Sequence, residues 1–237
     1  MLFLRSFIFT LGMWIFTPLF MTSALLVAPL QAHARYKYIS NWAKIMLWWL
    51  RVTCRITHRV IGVENIPDHP SIILSKHQSA WETLAFQTIF PPQVWVLKRE
   101  LLWVPFFGWG LALTSPIAID RSAGREALKK LVALGKDRLK RGFWVVIFPE
   151  GTRVAPNMTS KFHIGGAWLA SHAQATVVPV AHNAGEFWGK NSFIKRPGVI
   201  TTSIGQAIDC TGMKPDAINK QIEAWINAEM LQIKQYS

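Results

Sequence analysis

Between Arg5 and Arg35 the chain holds no Asp, Glu, Lys or Arg, and this gap constrains the fold more than any other feature. Phe7 to Leu30 is apolar, and at about 1.5 Å rise per residue a helix of that length covers about 30 Å of hydrocarbon. Pro18 sits in its middle, where an interior proline removes a hydrogen bond and kinks or breaks a helix. Three forms stay open: one kinked span, two short helices that enter and leave the same leaflet, or a cleaved signal peptide with Arg5 as its basic region and Ala32, His33 and Ala34 as its cleavage site. The apolar run exceeds the roughly 7 to 15 residues of a signal-peptide core. Lys and Arg between Arg35 and Arg59 hold the downstream chain on the cytoplasmic side.

The charge is distributed as unevenly as the hydrophobicity. Lys and Arg outnumber Asp and Glu by 26 to 13, which implies an anionic partner: nucleic acid, a lipid head group or a phosphorylated small molecule. The first carboxylate is Glu64, so everything before it is purely basic. Tyr38, Trp42, Ile45, Met46, Trp49, Val52, Thr53 and Ile56 recur at helical spacing, while Lys37, Lys44, Arg51 and Arg55 fall on another face. Such a helix suits the plane of an anionic membrane, and it equally suits packing on a domain core with a solvated basic face. No finger spacing and no basic region running into heptads occurs, so no nucleic-acid partner is expected. Residues 1–58 therefore read as a membrane anchor, made of the apolar segment 7–30 and an amphipathic helix over about 37–58, and 59–237 as a separate domain.

From Arg59 onward short apolar runs alternate with helical stretches. Strands are predicted at 71–75, 94–98, 116–119, 143–148, 176–181 and 199–204, and helices at 79–89, 124–140, 164–173 and 215–233. The fold class is α/β, a mixed, largely parallel sheet flanked by helices, with sites at strand ends. On the last helix Ile218, Ile222, Trp225, Ile226, Met230 and Ile233 share one face, as core packing requires. Cys54 and Cys210 lie far apart and outside any C-x-x-C spacing, which reads as free thiols with no metal role.

The first predicted strand runs into Lys76, His77, Gln78, Ser79, Ala80, Trp81 and Glu82. Ser79 and Glu82 make an S-x-x-E capping box, with Ser79 as N-cap and His77 in the preceding loop. A carboxylate there can orient one imidazole nitrogen and free the other as a general base. The positive end of the helix keeps Glu82 ionised and His77 neutral at rest. The alternative is a loop histidine beside an ordinary capping box.

Three further blocks occur in order: Ile117 to Arg121 ending in I-D-R, Phe148 to Arg153 reading F-P-E-G-T-R, and Val178 to Val180 reading V-P-V. With the H-x-x-x-x-E of His77 and Glu82, these resemble the motif set of the glycerolipid acyltransferase family, most closely the 1-acyl-glycerol-3-phosphate acyltransferases of bacteria, across roughly residues 60 to 185. The leader is similar to the membrane anchor of bacterial members. One departure is Glu82, where the family carries Asp; the carboxylate is retained on an arm longer by one methylene. Acyltransferases of lipid A precursors share H-x-x-x-x-E and are the alternative enzyme class, while a binding protein that has lost catalysis is the alternative of another kind.

The resemblance implies that His77, oriented by Glu82, deprotonates the free hydroxyl of a lysophosphatidate, which attacks an acyl thioester. The donor is acyl-CoA or acyl carrier protein as co-substrate, and no cofactor and no metal are expected. The absence of a G-x-S-x-G elbow agrees with direct transfer. Arg153 and Arg121 are implied as phosphate clamps, with Lys98, at a strand end, as a third cation by position. Glu150 is implied to hold the glycerol portion, Gly151 to let backbone approach the substrate, and Thr152 to complete the substrate-binding block. Leu101 to Leu113, with Trp103, Phe106, Phe107 and Trp109, reads either as core or as an acyl groove. The implied location is the bacterial inner membrane with the catalytic domain facing the cytoplasm, and the implied partners are membrane lipids and the acyl donor.

Overall fold

The computed structural model describes residues 1–235, without the side chains of Arg121, Lys234 and Gln235. Short runs rich in Val, Ile and Trp form the strands β1 (Ile56–Ile61), β2 (Ile72–Ser75), β3 (Gln93–Lys98), β4 (Ile117–Ile119), β5 (Trp144–Ile147), β6 (Val177–His182) and β7 (Gly198–Ile204). They make one sheet in the order β1-β7-β6-β2-β5-β3-β4. Every neighbouring pair is parallel except β6 and β7. The helices are α1 (Leu2–Ser23), α2 (Ala32–Cys54), α3 (Trp81–Ile89), α4 (Phe107–Leu113), α5 (Gly124–Lys140), α6 (Gly165–Ala173), α7 (Ala184–Phe187) and α8 (Pro215–Gln235).

The central strands are buried on both faces, which is why they read as continuous apolar runs rather than alternating ones. Ile72, Leu74, Val94, Val96, Val145 and Ile147 pack towards Leu131 of α5, Leu169 of α6 and Ile222 and Ile226 of α8. Their neighbours Ile73, Trp95, Leu97 and Val146 pack on the other face against Phe86 of α3 and Phe90. The face of α8 is as predicted, with Ile218, Ile222, Ile226 and Ile233 fully enclosed. The six predicted strands and four predicted helices occur within about two residues of their expected ends.

The N-terminal segment is a helical hairpin. Pro18 lies inside α1, which continues to Ser23 and then into a 3-10 turn over Ala24–Val27. Leu2–Val27 is apolar and long enough to cross a membrane. Most of its apolar side chains point away from the protein, including Trp14 at 74 % exposure. The seam with α2 is antiparallel: Ser23 Oγ and Tyr38 Oη are 2.8 Å apart, and Trp42 Nε1 donates to Thr17 Oγ1 at 3.1 Å. Farther along, Gly12 lies under the Trp49 indole and Cys54 Sγ lies 3.6 Å from the Arg5 carbonyl.

Two expectations for this region need correction. The amphipathic helix ends at Cys54, not near 58, because Arg55 takes a left-handed backbone (φ 55) and Ile56 opens β1, which pairs with β7. The buried face of α2 is Tyr36, Ile39, Trp42, Ala43, Met46, Leu50 and Cys54, rotated from the predicted stripe, and Val52 is exposed. The physical reason is that α2 is covered on two sides, by α1 and by α3, so its apolar surface is wider than one stripe. Lys37, Lys44, Arg51 and Arg55 are exposed as predicted.

A Cβ on Gly12 would fall 2.3 Å from Trp49 Nε1, so the α1–α2 seam requires glycine there. Gly12→Leu should destabilise the protein by about 1 to 3 kcal/mol through overpacking. In detergent micelles its thermal midpoint should fall by roughly 2 to 8 °C, and an unchanged midpoint would contradict this seam.

Candidate active site

Strands β2 to β6 run in one direction, so the loops at their C-terminal ends gather along one edge of the sheet, where open α/β folds hold their sites. Lys76 and His77 follow β2, Lys98 ends β3, Asp120 follows β4, Phe148 to Arg153 follow β5, and His182 ends β6. The motif blocks, separated by up to about a hundred residues, thereby become neighbours.

Glu82 sits in the first turn of α3 and is fully buried. One of its oxygens, Oε1, receives three donors: His77 Nδ1 at 2.8 Å and the backbone N–H groups of Gln78 and Ser79, each at 2.9 Å. Only the glutamate half of the expected capping box forms, Ser79 N–H to Glu82 Oε1; Ser79 Oγ accepts instead from Trp81 N–H at 3.1 Å, and the helix starts at Trp81 with Ala80, not Ser79, as N-cap. Burial works against the Glu82 carboxylate, yet the neighbouring His182, then His77 and the Ser79 N–H, outweigh it and hold its pKa below the ordinary range. An ionised carboxylate only accepts, so Nδ1 of His77 donates and Nε2 keeps the lone pair a general base needs. The His77 ring lies flat on Phe148, with centroids 3.9 Å apart and planes 9° from parallel.

A second buried contact fixes the loop itself. Lys76 Nζ forms an enclosed ion pair with Glu150 Oε1, and the His77 backbone N–H donates to Glu150 Oε2 at 2.8 Å. Both Glu150 oxygens are thus engaged within the protein and the side chain is closed to solvent. Burial raises its pKa, with the Lys76 ammonium opposing. Val154 N–H donates to the His77 carbonyl at 2.8 Å, a further tie between the two loops. Glu150 does not line the cavity in front of His77, so its placement suits holding His77 more than contacting a glycerol; the reason is Lys76, whose partnership with it has no sequence signature.

His77 opens on a cavity of about 420 Å³, within the range of small-molecule sites. Its floor is apolar: Met21, Tyr36, Ile39 and Trp42 from the N-terminal hairpin, Leu97 from β3, and Phe107 and Leu111 from α4. Its polar side carries Lys98, Gly151, Thr152, Arg153 and Lys190. Neither Lys98 nor Arg153 has a carboxylate within ion-pair distance among the described residues. Gly151, at φ 68, makes a left-handed turn in the F-P-E-G-T-R loop and lines the cavity. Arg121 lies in a 3-10 turn after β4, and its side chain is outside the described residues. Leu101 to Leu113 divides between the two readings: Leu101, Phe107 and Leu111 line the cavity, while Trp103, 71 % exposed, and Trp109 face outward. Neither is core: Trp103 ends the short 3-10 turn Arg99–Trp103, in which no residue is buried, and on the seven-residue α4 it is Gly108 and Gly110, not Trp109, that pack inward.

Several residues at this site carry no sequence signal. His182 is buried behind Glu82, 4.0 Å from Oε1. It donates from Nε2 to the Lys76 carbonyl at 2.9 Å and accepts from Ala184 N–H at 3.3 Å. Burial lowers its pKa more than the Glu82 charge raises it, so it stays neutral and acts as a brace between β6 and the His77 loop. Phe148, the first residue of the F-P-E-G-T-R block, could have been singled out by its place in that block.

The family model described as "Acyltransferase" matches residues 57–183. The chain is 48% identical over 217 residues to the 1-acyl-sn-glycerol-3-phosphate acyltransferase of Pseudomonas aeruginosa, covering 90% of this chain and 84% of that one. It is 33% identical over 153 residues to the Saccharomyces cerevisiae protein of the same name, covering 61% of this chain and 49% of that one. Its fold matches the crystal structure of the 1-acyl-sn-glycerophosphate acyltransferase of Thermotoga maritima with a TM-score of 0.80 at 22% identity, over 98% of this chain and 95% of that one.

The lowered Glu82 pKa has a consequence for acid stability. The unfolded carboxyl titrates near 4.5 and binds its proton more readily than the folded one. The stability Glu82 contributes is therefore fully present above that value and is lost as pH falls through the lower folded value. Urea unfolding in detergent between pH 7 and pH 3 should show wild type losing stability more steeply than Glu82→Gln below about pH 4.5. Superimposable acid limbs would remove the buried Glu82 charge from this account.

Proposed function

Because the chain belongs to the acyltransferase family, whose model spans residues 57–183, we propose that it transfers an acyl group from an acyl thioester to the free sn-2 hydroxyl of 1-acyl-glycerol-3-phosphate. The product is phosphatidate, for phospholipid synthesis. The observation that carries this reading is the His77–Glu82 pair, at 2.8 Å, set where an apolar cavity meets a basic rim. An amphiphile with a phosphate head and a hydrocarbon tail matches both halves of that cavity.

In this mechanism Nε2 of His77 takes the proton from the acceptor hydroxyl as its oxygen attacks the thioester carbonyl. The tetrahedral adduct collapses, the C–S bond breaks, and the thiolate recovers the proton from the imidazolium. Glu82 stabilises that imidazolium through Nδ1 and keeps the ring in one tautomer. Glu150 and Lys76 hold the His77 backbone, and Phe148 supports the ring face. Arg153, with Lys98 and Arg121, binds the acceptor phosphate, the guanidinium fork matching its oxygens. Gly151 and Thr152 line the approach. The donor carrier is coenzyme A or acyl carrier protein.

The same reading places the protein at the bacterial inner membrane with its catalytic domain on the cytoplasmic side. Supporting it are the exposed apolar face of α1, the exposed cations of α2, and the exposed Trp103, Phe106 and Trp109 beside the cavity. Aromatic side chains and cations together favour the interfacial zone of an anionic bilayer.

His77→Ala should lower kcat by about 10² to 10⁴-fold, the usual range for a general base, in an assay of defined acceptors with acyl-CoA and with acyl carrier protein thioesters read by product mass. Turnover equal to wild type would remove His77 from the mechanism. Arg153→Lys keeps the charge and loses the fork, so the acceptor KM should rise about tenfold and the donor KM far less. Equal effects on both constants would sink the clamp assignment.

A further inference from the structure

The segment between α7 and β7, residues 188–197, ties the apolar helix α1 to the mouth of the active-site cavity. Lys195 anchors it at one end. This side chain is buried, at 4 % exposure. Its backbone N–H donates to Ser6 Oγ at 2.9 Å, and its Nζ donates to Thr10 Oγ1 at 3.2 Å and to the Phe193 carbonyl at 2.9 Å. The ammonium also sits 5.3 to 5.4 Å from the ring centroids of Phe9, Trp188 and Phe193. Cation–π attraction is strongest in a dry site, so three rings and two oxygen acceptors offset the burial of a charge that has no carboxylate partner among the described residues. Ser6, Phe9 and Thr10 all belong to α1.

At its other end the segment reaches the F-P-E-G-T-R loop. Lys190 Nζ donates to Thr152 Oγ1 at 3.3 Å. Asn191, with φ 55, turns the chain, and both residues line the cavity beside Lys98 and Arg153. Lys190 has no carboxylate within ion-pair distance among the described residues. Lys98, Arg153 and Lys190 thus place three positive charges without acidic partners around one opening, a setting that favours an anionic group.

We propose that Lys190 binds a substrate phosphate at the mouth of the cavity, and that α1 sets its position through Lys195. The inference rests on the function proposed above. The phosphate belongs either to the lysophosphatidate head group or to the pantetheine arm of the donor, and the arms of one experiment separate these sources.

Full-length wild type, Lys190→Ala and Lys190→Arg are compared in mixed micelles, with KM and kcat measured for lysophosphatidate and for the acyl thioester in turn. Lys190→Ala should raise one KM about tenfold, the loss of one charge-assisted hydrogen bond, while kcat falls far less, and Lys190→Arg should recover most of the loss. A shift in the lysophosphatidate KM identifies the head-group phosphate; a shift in the donor KM identifies the carrier phosphate. An unchanged pair of KM values in Lys190→Ala overturns the inference. Lys195→Met, which keeps the aliphatic stem, should raise the same KM, and the double variant should be no worse than Lys190→Ala alone. Additive effects would overturn the link to α1. Wild type that acylates no lysophosphatidate would instead overturn the proposed function, so the two failures are distinct.

Discussion

One oxygen of one buried carboxylate organises the catalytic loops. Glu82 Oε1 gathers the His77 ring and two consecutive backbone N–H groups, so the loop after β2 has one shape and the imidazole one tautomer. A carboxylate out of water is costly unless charge-assisted donors replace the lost hydration. The three donors do so, and they are available because α3 begins at Trp81, directly after them. The geometry of the base and the ionisation of its orienting acid therefore have the same cause.

Around this centre the loops are cross-braced from three strands. The Lys76–Glu150 ion pair joins the ends of β2 and β5, His182 joins the end of β6 to the Lys76 carbonyl, and Val154 holds the His77 carbonyl. Breaking a buried ion pair by removing one partner costs about 3 to 5 kcal/mol, because a lone charge remains inside. Glu150 thus fixes the His77 backbone from behind, while its neighbours Gly151, Thr152 and Arg153 face the cavity. Adjacent positions of one hexapeptide divide between support and contact because the chain turns at Gly151.

The N-terminal hairpin is more than a tether. Met21, Tyr36, Ile39 and Trp42 form part of the cavity wall, so the site is complete only when α1 and α2 are seated on α3. Lys195 locks the same helix to the segment that carries Lys190. The long apolar helix α1 is consequently wired by direct contacts to both the apolar and the basic ends of the site.

The sequence by itself determined the alternation of strands and helices, the core face of α8, the basic face of α2, and the identity of His77, Glu82 and the F-P-E-G-T-R block. These are legible because periodicity, capping and short motifs are local properties of the chain. β1 was not legible, since Ile56 continues a helical spacing and only its pairing with β7, more than a hundred residues away, makes it a strand. The same holds for Lys76, His182 and Lys190, ordinary residues in sequence whose partners come from loops and a helix distant in the chain. Which side of α2 is buried, and whether Glu150 looks into the cavity or away from it, likewise depended on what packs opposite. Local pattern specifies the elements and the reactive groups, whereas burial, ion pairing and the walls of a cavity are properties of long-range contact and exist only once the sheet has brought its strand ends together.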